Sequence, residues 1–122
     1  GAEILYKNVS STLGPRGRNV ILQQKDKRPI ITKDGVTVAK FISLEDPFEN
    51  LGCQIIKQAS EKTVTDAGDG TTTAVVLAFS MLKQARKRLS AGLSPIELKR
   101  GMEKAVKALV SKLKENSQPI SL

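Results

Sequence analysis

Histidine and tryptophan are absent, cysteine occurs once, and aromatic residues make up only 3% of the chain. Without histidine, and with one thiol, no tetrahedral zinc site can be assembled from nitrogen and sulfur ligands. Cys53 alone cannot form an internal disulfide. That fits a reducing compartment, and the residue reads as a small buried apolar side chain. The scarcity of aromatics requires an aliphatic core of Ala, Val, Ile and Leu, which leans towards packed helices. No apolar run approaches the ~18–20 residues of a membrane-spanning helix. Residues 1–15 lack the basic start, apolar stretch and small-residue cleavage site of a secretory leader. There is no internal repeat and no low-complexity segment.

The 122 residues suit one domain with a single hydrophobic core. Lys and Arg number 20 against 12 Asp and Glu, a net charge of +8. The excess is uneven, because residues 83–122 hold 10 basic and 3 acidic side chains. A solvated helix face explains this imbalance. A nucleic-acid surface is disfavoured, since no aromatics interleave with the lysines to stack on bases.

Along the chain, residues 2–12 read as a short helix, with Ile4, Leu5, Asn8 and Val9 on one face. TLGPRG, residues 12–17, breaks it: Gly14 permits positive φ and Pro15 lacks an amide donor. NVILQQ (19–24) and PIIT (29–32) are β-rich and separated by KDKR (25–28), a hairpin pattern. KDGVTVAKFI (33–42) is ambiguous. Its β-formers favour a strand slightly, while Asp34 could instead cap a short helix over 35–41.

Pro47 and its acidic neighbours open a helix over 47–66, with Phe48, Leu51, Ile55 and Ala59 at helical spacing and Gly52 allowing close approach. A helix over 71–90 follows. Its first half is apolar on all sides and belongs in the middle of the domain, covered by helices 47–66 and 95–116. Ser94, Pro95 and Glu97 form a capping-box pattern opening the last helix, which carries an apolar stripe to about residue 115.

DAGDGTTTAVVLAF (66–79) sets Asp, Gly and three consecutive Thr against an apolar run. A helix N-terminus leaves amide donors unpaired and carries partial positive charge. Gly68 and Gly70 would let phosphate approach the backbone, and Thr71, Thr72 and Thr73 add hydroxyls. Asp69 is an anion in a site suited to anions, which makes sense with a divalent cation between it and a phosphate. The plain alternative is a capped helix with decorated threonines, and the residues alone leave both open. GxxxxGK[ST] and GxGxxG are both missing. TLGPRG and TKDG are similar polar, Gly-containing loops; each alone could be an ordinary turn, and pattern does not show whether the three converge.

TLGPRGRNV, ITKDGVTVAK, LEDPFENLG and AGDGTTTA, followed by SPIELKRGMEKAV, together resemble the nucleotide-binding half-site of the chaperonins along essentially the whole chain. TKDGVTVA is similar to group I, the bacterial and organellar GroEL type; group II members typically carry Asn where Lys33 stands. The resemblance implies a mainly α, multi-helical part of the equatorial ATP-binding domain with a small β-hairpin, spanning 1–122. It also implies a short helix after Asp34, which settles the preference there.

Motif by motif, it places Thr12, Leu13, Gly14 and Pro15 along the nucleotide phosphates, and the Lys33 backbone near phosphate and potassium. Asp34 matches an acidic residue near the attacking water, the one catalytic candidate. Asp69 matches the magnesium ligand, and Gly70, Thr71, Thr72 and Thr73 match the phosphate-binding turn. Arg16 departs conservatively from a usual Lys. The expected cofactors are ATP, Mg²⁺ and, optionally, K⁺. The expected partners are other subunits of a ring homo-oligomer; cochaperonin and unfolded proteins would bind through apical and intermediate domains that these residues do not match. The main general base lies in that unmatched part, so weak or no ATP hydrolysis is expected of this chain alone. Cytoplasm or an organelle matrix such as mitochondrion or plastid is the expected location. A non-catalytic assembly module is the alternative.

Overall fold

The computed structural model describes residues 1–23 and 27–120. Five helices and one two-stranded antiparallel sheet follow in the order α1 (Ala2–Ser10), β1 (Val20–Leu22), β2 (Ile30–Thr32), α2 (Gly35–Phe41), α3 (Pro47–Ala67), α4 (Thr71–Ser90) and α5 (Pro95–Asn116). The mainly helical architecture with a small hairpin is therefore as expected. Val20 pairs with Thr32 and Leu22 with Ile30. The first part of the KDKR turn lies outside the described residues.

The chain divides into two compact units, Gly1–Leu82 and Lys83–Leu122. Among the described residues, the eight buried apolar side chains belong to the first: Leu5, Val9, Leu22, Val38, Ala39, Cys53, Ile56 and Val75. They come from α1, β1, α2, α3 and α4, so this small aliphatic core ties every element of the first unit except β2. Tyr6 of α1 stacks on Phe79 of α4 with ring centroids 4.4 Å apart, which uses two of the four aromatic rings. Gly52 does allow close approach: a Cβ there would lie 3.2 Å from the Ala2 amide nitrogen. Cys53 is buried as expected, and its thiol donates to the Gly1 carbonyl at 3.3 Å.

Local chemistry sets most boundaries. Asp46 caps α3 by accepting from the Glu49 amide at 2.8 Å, and Pro47 occupies the first turn. Gly68 ends α3 with φ at 74°. Gly92, at φ 92°, ends α4: its amide donates to the Leu89 carbonyl while that of Leu93 donates to the Arg88 carbonyl. That pair of bonds is a Schellman ending, which needs a left-handed residue. Ser94 precedes α5, but its side chain makes no cap hydrogen bond, so the capping box expected with Glu97 does not form.

One expectation about buried faces, that for α4, is corrected. On α3 the helically spaced Phe48, Leu51 and Ile55 are exposed, Phe48 to 87%, and Ala59 is half-buried; the buried face is Cys53, Ile56, Lys57 and Ser60. α1 and α2 pack against the side of α3 that Gly52 opens, and that contact selects the face. The first half of α4 is not enclosed, since Thr71 and Val75 are its buried residues and Leu77 and Met81 are exposed. Within the second unit α5 buries no residue, and Val106, Leu109, Val110 and Leu113 of its stripe lie in the open.

Candidate functional site

Three polar loops, distant in sequence, meet beside the core. The first leaves α1. The Thr12 hydroxyl donates to the Val9 carbonyl at 2.7 Å, which turns its buried side chain back onto the helix end. Gly14 then takes φ 76°, and its carbonyl accepts from the Gly17 amide at 2.9 Å. The loop is cinched at its base by the Arg18 amide donating to the Ser11 carbonyl at 2.8 Å. Leu13, Gly14, Pro15 and Arg16 form its exposed tip.

The second loop leaves β2. The Asp34 amide donates to the Thr32 hydroxyl at 3.0 Å, which turns the strand sharply. The Asp34 carboxylate accepts from the Val36 and Thr37 amides at 3.2 and 3.0 Å, and also from the Thr37 hydroxyl. This cap favours helix over 35–41 against its β-branched residues: it satisfies amide donors that the first turn of a helix leaves open. The Thr37 hydroxyl, helped by those two amides and by Lys40, holds the Asp34 carboxyl below its ordinary value against the opposing effect of desolvation. The carboxylate therefore stays ionised and fixed as a cap at neutral pH. Lys33, just before it, is exposed.

The third loop joins α3 to α4. Asp69 Oδ1 accepts from the Gly70 amide at 2.6 Å. Gly70, at φ 86°, precedes α4, and its carbonyl accepts from the Ala74 amide at 2.9 Å, the first bond of the helix. The Asp69 carboxylate thus does not cap the first-turn amides of Thr71, Thr72 and Thr73, as the plain helix-cap alternative would have it. Thr71 is buried, Thr72 half-buried and Thr73 exposed.

Gly35 is the point of convergence. It is buried, and a Cβ built on it would collide with the Thr72 hydroxyl and lie 3.3 Å from the Thr12 hydroxyl oxygen. One glycine at the start of α2 thus touches the threonines of both other loops. The structure brings together Thr12, Gly35 and Thr72, while Leu13, Gly14 and Pro15 stand at the exposed tip of the cinched loop and Lys33 is exposed.

Among the described residues, no group of three or more His, Cys, Asp or Glu side chains could hold a metal ion. Asp69 is a single carboxylate using one oxygen on Gly70. That donor set fits magnesium, which is commonly bound by one or two carboxylates and completed by phosphate oxygens and water.

Two residues important to this corner escaped the sequence reading. Gly35 had a usable signal, since glycine just after a helix cap is a poor helix former and marks close backbone approach. Lys57 had none. It is buried in α3, 7% exposed, and its ammonium donates to the Lys40 carbonyl at 3.3 Å and to the Ile42 carbonyl. Those are carbonyls at the C-terminal end of α2, where a cation is favourable. Asp34 and Lys57 therefore clamp the two ends of the helix that carries Gly35.

The family model described as the TCP-1/cpn60 chaperonin family matches residues 5–122 of the chain. The match includes all three loops and every helix after the first turn of α1.

Proposed function

This chain belongs to the TCP-1/cpn60 chaperonin family, and on that premise we propose that it carries part of the equatorial, ATP-binding domain of a group I chaperonin that assists protein folding. The observation supporting the nucleotide reading is the meeting of Thr12, Gly35 and Thr72. Three loops that each suit phosphate are thereby gathered at one corner. Lys33 and the group I pattern around it carry the choice of group.

In this reading the amides at the start of α4 and the hydroxyls of Thr72 and Thr73 bind the triphosphate oxygens. Gly70 and Gly14 keep Cβ atoms out of the approach. Asp69 holds Mg²⁺, which supplies charge neutralisation of the phosphates when bound. Thr12, Leu13, Gly14 and Pro15 would line the phosphates, and the Lys33 backbone would contribute to the phosphate and K⁺ region. The cap bonds occupy both Asp34 oxygens and lower its carboxyl's affinity for a proton, so its role towards an attacking water is electrostatic orientation rather than removal of a proton. The subunits work as a ring homo-oligomer, with ATP-driven cycling. Cochaperonin and unfolded proteins contact the apical region, and the cytoplasm or an organelle matrix is the setting.

Hydrogen exchange with and without Mg-ATP tests the reading. Amides 69–73 gain protection on addition of Mg-ATP, and Asp69→Ala removes the magnesium dependence. Equal exchange at 69–73 with and without saturating Mg-ATP refutes it.

A further inference from the structure

A cleft of about 260 Å³ opens between α2 and α3 within the first unit, and meets the three-loop corner only at Thr71. We propose that it binds an uncharged peptide unit bearing a branched aliphatic side chain. This does not rest on nucleotide binding.

The size comes first. A single water needs about 10–15 Å³ of such space, so a bridging water does not account for the cleft. The walls come next: Val36, Ala39 and Val64 make them apolar, together with the stem of Lys57. Inside there is no available charge, because the Lys57 ammonium is already engaged by the Lys40 and Ile42 carbonyls. At the rim the exposed Lys40 and Glu61 have opposite signs, so neither an anion nor a cation is selected.

Of the three hydroxyls that line it, Thr65 already donates to the Glu61 carbonyl, which leaves two. Ser60 is 2% exposed and Thr71 is 7% exposed, and both line the cleft. Among the described residues neither has a hydrogen-bond partner, yet neither oxygen is sealed off. Each is open to the cleft and can both donate to and accept from a ligand. An amide offers a donor and an acceptor side by side, and an aliphatic branch covers the Val and Ala walls. Pockets that combine mostly apolar walls with a few convergent polar groups are the usual form of a binding site.

The probe is N-acetyl-leucine methylamide, titrated into the whole chain and followed by amide shifts in ¹H–¹⁵N spectra. Saturable shifts are expected at Val36, Ser60, Val64 and Thr71, with a dissociation constant on the order of a millimolar for so small a ligand. Ser60→Ala weakens binding by about three- to tenfold, the effect of one hydrogen bond, without altering the melting curve. Val64→Phe fills the cleft and abolishes the shifts. Two comparison probes separate the parts of the proposal. N-acetyl-glycine methylamide lacks the branch and 3-methyl-1-butanol lacks the amide, and both bind more weakly. The proposal is overturned if the leucine amide gives no saturable shift at these residues. Equal binding by either comparison probe, or unchanged affinity in Ser60→Ala, overturns it as well.

Discussion

Gly35 lies so close beneath the Thr72 side chain that a single added methyl group would overlap its hydroxyl. A hydrogen atom is the only substituent that fits. The start of α2 and the start of α4 are therefore registered against each other by a missing side chain, with Thr12 on the third side at 3.3 Å from the same point.

Gly35→Ala forces the two helix starts apart. Overpacking of this kind costs about 1–3 kcal/mol. Urea unfolding should show that loss, and Mg-ATP protection at 69–73 should fall with it. Gly101→Ala is the matched comparison, because nothing lies within 4 Å of a Cβ there. In the interior of α5 that change should raise helix content, since alanine is favoured over glycine by roughly 0.5–1 kcal/mol.

Asp34 gives stability a pH dependence of known sign. Its folded carboxyl lies below the ordinary value, chiefly through the Thr37 hydroxyl. The contribution is fully present above the unfolded carboxylate value of about 4, and is lost as pH falls through the folded value. Asparagine also caps helices but does not titrate. Wild type minus Asp34→Asn should show a melting-temperature advantage at pH 7 that shrinks below about pH 4; a difference independent of pH excludes the assignment.

Lys57→Met keeps the buried stem but removes the donor to the Lys40 and Ile42 carbonyls. Hydrogen bonds from charged groups contribute about 1.5–3 kcal/mol. Chemical denaturation should show a loss of that order. Hydrogen exchange should localise it to α2, with faster exchange at Val38 and Ile42, whose amides donate within the helix and at its end.

Leu5→Ala strikes a core of only eight buried apolar side chains among the described residues. Leu-to-Ala changes in cores cost about 2–5 kcal/mol, a large share of a small domain's stability. Thermal melts should show a lowered or uncooperative transition for Leu5→Ala. Ile55→Ala, on the exposed face of α3, should change little.

The exposed apolar residues of α3, α4 and α5 favour self-association. Light scattering after size exclusion should show mass rising with concentration. Leu109→Lys with Leu113→Lys should reduce it if α5 contributes.

Local chemistry was legible because its signals sit within a few residues of their effects. Pro47 and Asp46 open α3, Gly68 and Gly92 stop helices by adopting positive φ, and both β runs appear where Val and Ile cluster. The loop residues with phosphate-binding character were also readable, since hydroxyls, glycines and a carboxylate beside an apolar run are visible in order. The buried faces were not. Phe48, Leu51 and Ile55 look like a core stripe, but a side chain's hydrophobicity does not say which neighbour arrives. The approach of α1 at Gly52 chose Cys53 and Ile56 instead.

The identity of α2 was balanced between β-branched propensity and a possible cap. Burial of Val38 and Ala39, with Lys57 closing the far end, tips it to helix. Sequence determined the inventory: which segments turn, which caps exist, and which groups can meet an anion. Only the tertiary structure decided that Thr12, Gly35 and Thr72 share one point, because contact between segments about 25 to 60 residues apart depends on the summed burial of the whole core and not on any local preference.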